Sequence, residues 1–204
     1  MRGSGSGWSG ASVEEYNELV SRLVRCLRNS SLDYAFTGAL AVSFYGSPRT
    51  TSDVDIMIAV AAKEDVKRRV IEVLQCAGVE ADERKIEDAL TSGFSIANLR
   101  DKASPYSVDI IFATEKLHKQ LGEVAGLSSY LQAPESLIAA KLRMIKVTVP
   151  KERGSKDIED VKAILAFTKV NLGSVRRQAK KEKTSEIFES IIEESAAESD
   201  KQQR

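Results

Sequence analysis

Apolar positions along this 204-residue chain change period several times, and each change predicts a different element. Residues 13–28 carry Tyr16, Leu19, Val20, Leu23, Val24 and Leu27 at helical spacing behind Ser12 and Glu15, a capping-box pair, which predicts an amphipathic helix. Residues 33–36 predict a short strand, Gly38 a turn, and 39–45 a helix packed by Leu40, Val42 and Phe44 that Gly46-Ser47-Pro48 stops. An apolar strand follows over 53–60, then helices over 62–77 and 82–91 and strands over 93–100 and 105–113. Residues 115–124 read as helical and 127–132 as extended. From Pro134 the pattern is all helix: one helix through Ile145, one from Lys156 or Asp157 through Thr168, and one or two charged helices over 173–197. The expected fold class is therefore α/β (α+β), with a mixed sheet flanked by helices. Residues 1–11, rich in Gly and Ser, form a tail; 12–133 form a sheet core; 134–204 form a helical region packed on it.

Two positions break the strand pattern. Asp53 and Asp55 sit among Val54, Ile56, Met57, Ile58 and Val60, where Asp is among the least favoured residues. Side chains alternate along a strand, so both carboxylates point to one face, about 7 Å apart by the rise per residue. Asp109 repeats the anomaly in Ser107-Val108-Asp109-Ile110-Ile111. Three like charges on one sheet would raise one another's pKa and weaken the fold, and a hard, oxygen-seeking cation such as Mg²⁺ would compensate them. Mg²⁺ keeps few protein carboxylates and fills its octahedron with water and phosphate oxygens, so a phosphate-bearing ligand is expected beside it.

Composition narrows the partners. The 30 basic and 30 acidic side chains cancel, so no global field attracts nucleic acid, and any such contact is local. Arg176, Arg177, Lys180, Lys181 and Lys183 stand beside Glu186, Glu189, Glu193 and Glu194; they read as solvated faces laced by i,i+4 pairs, with an RNA-binding helix as the alternative. His118 reads as a solvent-facing helix residue, and Tyr34, Phe36, Phe44 and Tyr45 as core. Cys26 and Cys76 each fall in a helical pattern and predict two buried thiols in a reducing compartment, with neither CxxC nor Cys/His spacing for zinc. No apolar stretch reaches membrane length and no leader pattern precedes a cleavage site, so a cytoplasmic protein without a membrane partner is expected.

The segment from Gly38-Ala39 through Arg49-Thr50-Thr51-Ser52-Asp53-Val54-Asp55 resembles the nucleotidyltransferase superfamily with the DNA polymerase beta catalytic fold. Its pattern is a small-residue turn, a short helix, then an acidic-x-acidic strand. More narrowly it is similar to a small prokaryotic subgroup called AbiEii-like, and Pro134-Glu135-x-x-Ile138-x-x-Lys141 with Arg153-x-x-Lys156-Asp157-x-x-Asp160-Val161 extends the likeness over residues 30–168. The resemblance implies transfer of a nucleoside monophosphate from an NTP to a hydroxyl, with release of pyrophosphate. Asp53 and Asp55 would hold two Mg²⁺ ions, and Asp109 would ligate the one that activates the acceptor. Gly38 and Ala39 would cradle phosphates, Arg49 would pair with phosphate as a planar fork, and Thr51 would order the loop. Lys141 would contact triphosphate, and Arg153 and Lys156 would form a phosphate-facing loop around Gly154, with Asp157 and Asp160 capping the next helix or pairing with those bases. Implied acceptors are RNA or tRNA ends, protein side chains or small molecules. Ala39 departs from the Gly or Ser of the family's second turn position. It keeps the backbone donor and loses a hydroxyl that Thr37 could supply, so a catalytically silent nucleotide- or protein-binding member, such as one half of a toxin–antitoxin pair, is the alternative.

Overall fold

The computed structural model describes residues 13–46, 48, 51–60, 63–91, 96–148 and 151–202, without the side chains of 63, 64, 151–153 and 199–202. The elements run α1 (Val13–Asn29), β1 (Tyr34–Phe36), α2 (Gly38–Tyr45), β2 (Asp53–Ala59), α3 (Lys63–Cys76), α4 (Glu83–Thr91), β3 (Ile96–Arg100), β4 (Ser107–Ala113), β5 (Lys119–Val124), β6 (Leu127–Gln132), α5 (Pro134–Val147), α6 (Lys151–Phe167), α7 (Leu172–Glu182) and α8 (Ser185–Gln202). The strands form one mixed sheet in the order β3-β4-β2-β1-β6-β5. β2 pairs antiparallel with β1 and parallel with β4, and β1 pairs parallel with β6.

Period-two burial divides the neighbouring strands β2 and β4. Val54, Ile56 and Ile58 of β2 and Val108, Ile110 and Phe112 of β4 are buried, while the residues between them stay half-open. The buried side joins one apolar cluster with Leu19, Leu23 and Leu27 of α1, Val70 and Leu74 of α3 and Ile86 of α4. Leu23 is fully enclosed there, and truncating such a leucine costs about 2–5 kcal/mol. The same cluster continues through Leu137 and Leu142 of α5, Ile164 of α6, Val175 of α7 and Phe188 of α8.

Four expectations are corrected. Residues 119–124 form strand β5, not part of a helix; Leu117, Leu121 and Val124 fall four and three apart by chance of spacing, and Leu121 is exposed. The strand turns into β6 through Ala125 and Gly126, both at positive φ (49° and 74°), the backbone of a tight hairpin. Helix α6 starts at Lys151, so Gly154 and Lys156 lie within a helix rather than a loop. Phe44 is exposed rather than core, although Tyr34, Phe36 and Tyr45 are buried as expected. Cys26 and Cys76 are not thiols: they form a disulfide that joins α1 to α3 across a sequence separation of 50. Each cysteine's helical pattern was visible in the sequence, but the packing of those two helices against each other was not. No described helix is long and apolar enough to cross a membrane.

Candidate active site

The parallel register of β2 and β4 sets Asp55 opposite Asp109 and Asp53 opposite Ser107. Alternation then brings Asp53, Asp55 and Asp109 to the half-open face of the sheet, the side away from Val54, Ile56 and Val108. Two of them meet neutral donors. The Thr51 hydroxyl donates to Asp53 Oδ1, and Asn98 Nδ2, from the strand position opposite Asp109, donates to Asp109 Oδ1 at 2.6 Å. Burial pushes the Asp109 carboxyl above its ordinary range; the Asn98 bond opposes that rise and the charge on Asp53 adds to it.

Helix α2 begins against this face. Gly38 takes φ +59°, and a Cβ there would lie 1.8 Å from Asp55 Oδ2 and 2.6 Å from its Cγ. Only glycine allows both the backbone angle and the approach. The Thr37 N–H donates to the Asp55 carbonyl at 3.0 Å, which anchors the helix start to β2. The Thr37 hydroxyl turns the other way, to Gln132 Oε1, so it offers nothing to the turn. The Thr37 side chain makes no capping bond to α2.

A cleft of ≈1040 Å³ opens beside Asp53. Its walls include Tyr16 from α1, Ala39 and Phe44 from α2, Thr51, Tyr106 and, from α6, Lys156. The Tyr16 ring stands edge-on to Tyr106 at 5.1 Å and its hydroxyl donates to the Asp53 carbonyl at 3.3 Å. Burial, then the charges of Asp53 and Asp55, push the Tyr16 phenol above its ordinary range, so it is a neutral donor at physiological pH.

The structure brings Gly38, Ala39, Thr51, Asp53, Asp55 and Asp109 to one end of the sheet and places Lys156 on the cleft wall. Lys141 has a different setting: its Nζ bonds Asp157 Oδ1 at 2.8 Å and Asp160 Oδ2 at 2.6 Å, between α5 and α6. Arg49 and the side chain of Arg153 lie outside the described residues. Sequence reading missed Asn98 and Tyr16. Asn98 is one polar residue in an exposed alternation with Ile96 and Arg100, and Tyr16 falls in the apolar stripe of α1, so neither carries a signal before the register is known.

Among the described residues no group of three or more His, Cys, Asp or Glu side chains is placed to hold a metal ion together. The face is therefore not a cage. Its donor set is all carboxylate oxygen, at opposed positions on adjoining strands, with Asp53 charge already felt at Asp109. That set fits a hard cation that arrives with water and phosphate oxygens and takes only a few protein ligands.

No protein-family model and no curated protein sequence matches the chain. Solved structures do. The solution structure of the antibiotic-resistance factor ANT(2'')-Ia superposes with a TM-score of 0.59 at 12% identity, covering 94% of this chain and 99% of that one. An antigenic nucleotidyltransferase-like protein from Paracoccidioides brasiliensis gives 0.56 at 15% identity over 90% and 94%. A crystal structure of ANT(2'')-Ia in complex with adenylyl-2''-tobramycin gives 0.55 at 11% identity over 88% and 98%. These likenesses run nearly end to end in both partners, and the chain has a fold resembling that of nucleotidyltransferases.

Proposed function

We propose that this chain is a Mg²⁺-dependent nucleotidyltransferase that moves a nucleoside monophosphate from an NTP to a hydroxyl acceptor. The observation that carries the reading is the register: Asp55 faces Asp109 across β2 and β4, with the Gly38 turn pressed against Asp55 so that the start of α2 and the carboxylates meet. Asp53, Asp55 and Asp109 are the residues that would hold Mg²⁺. When bound, Mg²⁺ supplies neutralisation of phosphate charge and a lowered pKa for the acceptor hydroxyl.

In the reaction the acceptor oxygen bonds to the α-phosphorus, the bond from that phosphorus to the β-bridging oxygen breaks, and pyrophosphate leaves. Backbone N–H groups at Gly38 and Ala39 suit the phosphates, because a helix N-terminus presents unsatisfied donors and a positive dipole end. Lys156 on the cleft wall would add a point charge there. Asp109, half-buried with its carboxyl raised, would take the acceptor's proton. The cleft beside Asp53 offers Tyr16, Phe44 and Tyr106 as apolar surface for a base or acceptor.

The neighbour ANT(2'')-Ia, seen with an adenylyl group on tobramycin, supports small molecules as the acceptor class ahead of RNA ends and protein side chains. Incubation with Mg²⁺ and NTPs labelled on the α-phosphate should move label to an acceptor from a mixed extract of RNA, protein and small molecules. Asp53→Asn and Asp55→Asn should lower that transfer by about a thousandfold or more, the size of losing several kcal/mol of transition-state stabilisation. Equal labelling by wild type and both variants would refute the reading. The orientation of Thr37 supports one other reading. With its hydroxyl on Gln132 and Ala39 at the second turn position, the turn has no free hydroxyl, as in a silent nucleotide- or protein-binding member of the fold that forms one half of a toxin–antitoxin pair. That reading expects NTP binding without transfer to any acceptor.

A further inference from the structure

We infer that Asn98 is a positioning residue for Asp109, holding one carboxylate oxygen so that the other alone is presented to a cation. This inference rests on reading the acidic face as a metal–nucleotide site. Asparagine is disfavoured in strands, and Asn98 lies at the middle of edge strand β3 with its side chain exposed, where packing asks nothing of it. Register places it directly opposite Asp109 in the antiparallel β3–β4 pair. Side chains opposite each other in such a pair stand about 5 Å apart at Cβ, within reach of a short amide.

The amide uses that reach. Asn98 Nδ2 donates to Asp109 Oδ1 at 2.6 Å, the short end for a bond to a charged acceptor. Asp109 Oδ2 has no hydrogen-bond partner among the described residues, so the carboxylate keeps one open oxygen with a fixed orientation. The donor is itself held in place: Lys85 from α4 donates its Nζ to the Asn98 carbonyl at 3.1 Å. An edge residue secured to a helix on its backbone and to a carboxylate on its side chain is a support for that carboxylate. Partners of this kind around metal ligands, when removed, typically weaken the metal by 10–100-fold.

The test uses the full chain without nucleotide and Mn²⁺ as the probe, with free Mn²⁺ followed by electron paramagnetic resonance and folding by thermal melts. Asn98→Ala should weaken Mn²⁺ binding about tenfold with an unchanged melting midpoint. Asn98→Thr, which puts a hydroxyl donor in place of the amide and suits a strand, should recover part of that loss. Arg100→Ala, on the same strand and the same face, should bind as wild type does. Mn²⁺ affinity equal in wild type and Asn98→Ala, or lost equally in Arg100→Ala, would overturn the positioning role and leave the nucleotidyltransferase reading standing. No Mn²⁺ binding by the wild-type chain without nucleotide would overturn the positioning role alone, because the nucleotidyltransferase reading has the cation arrive with phosphate oxygens.

Discussion

Two groups of charges in this molecule share a sequence signature and have opposite fates. Lys141 lies on an apolar helix face between Ile138 and Leu142, and the fold meets it with Asp157 and Asp160 from the neighbouring helix. Asp53 and Asp109 lie in apolar strands, and among the described residues the fold meets them with a hydroxyl and an amide. Neutral donors orient a carboxylate without cancelling its charge. The first group is complete within the chain; in the proposed function, a cation from outside would compensate the second.

That contrast can be broken at four points, in descending order of effect. Gly38→Ala places a methyl 1.8 Å from Asp55 Oδ2 at a φ of +59°, so either the helix start or the carboxylate must move. Transfer activity should fall at least about a hundredfold, as displacement of a reacting geometry by ~1 Å does, and the protein should lose ~1–3 kcal/mol of stability, read by urea titration. Lys141→Met removes the cation from a pair of enclosed carboxylates, whose side chains are 21% and 7% exposed. Breaking a buried ion group by removing one partner costs about 3 kcal/mol, a fall of roughly 10 °C in melting midpoint for a chain of this size.

The acidic face should respond with the opposite sign. Asp53→Asn in metal-free protein relieves repulsion felt at Asp109 and should raise stability by about 0.5–1 kcal/mol in the same titration, even as it removes activity. A loss of stability there would make the carboxylate structural and erase the contrast. The smallest effect belongs to the exposed pair between α7 and α8. Arg176 binds Glu189 through Nε at 2.8 Å and holds its carboxyl below the ordinary range. The unfolded value is near 4.5, so the pair's contribution is present above that pH and is lost as pH falls through the depressed folded value. Salt should mask it; melts of Glu189→Gln against wild type at low and high ionic strength would show this.

Much of this was legible in the sequence, for definable reasons. A carboxylate in an apolar strand contradicts its surroundings, so Asp53, Asp55 and Asp109 were identifiable from local pattern, and alternation placed the first two on one face. The Gly38 turn was readable because few residues tolerate its backbone. What stayed hidden depends on register and on which elements meet. Asn98 became relevant only when β3 paired with β4 in one register out of several. Lys141 was legible as a cation needing a partner, but its partners come from 16 and 19 positions further along, and only the packing of α5 on α6 chooses them. The Cys26–Cys76 disulfide was missed because helical spacing describes each cysteine's own helix and says nothing about the other. Segment 115–124 was misread because spacings of four and three occur in a strand without meaning, and the turn at Ala125-Gly126 is decided by positive φ angles.

The central claim is that the acidic face becomes complete only when a divalent cation and a nucleotide join it. Calorimetric titration of the full chain with ATP and with each other NTP, in the presence and absence of Mg²⁺, tests it most directly, with Asp53→Asn run beside wild type. At least one NTP should bind only with Mg²⁺ present, and that binding should be abolished in Asp53→Asn. Nucleotide binding that ignores both Mg²⁺ and the substitution, or no binding of any NTP by the wild-type chain, would contradict it.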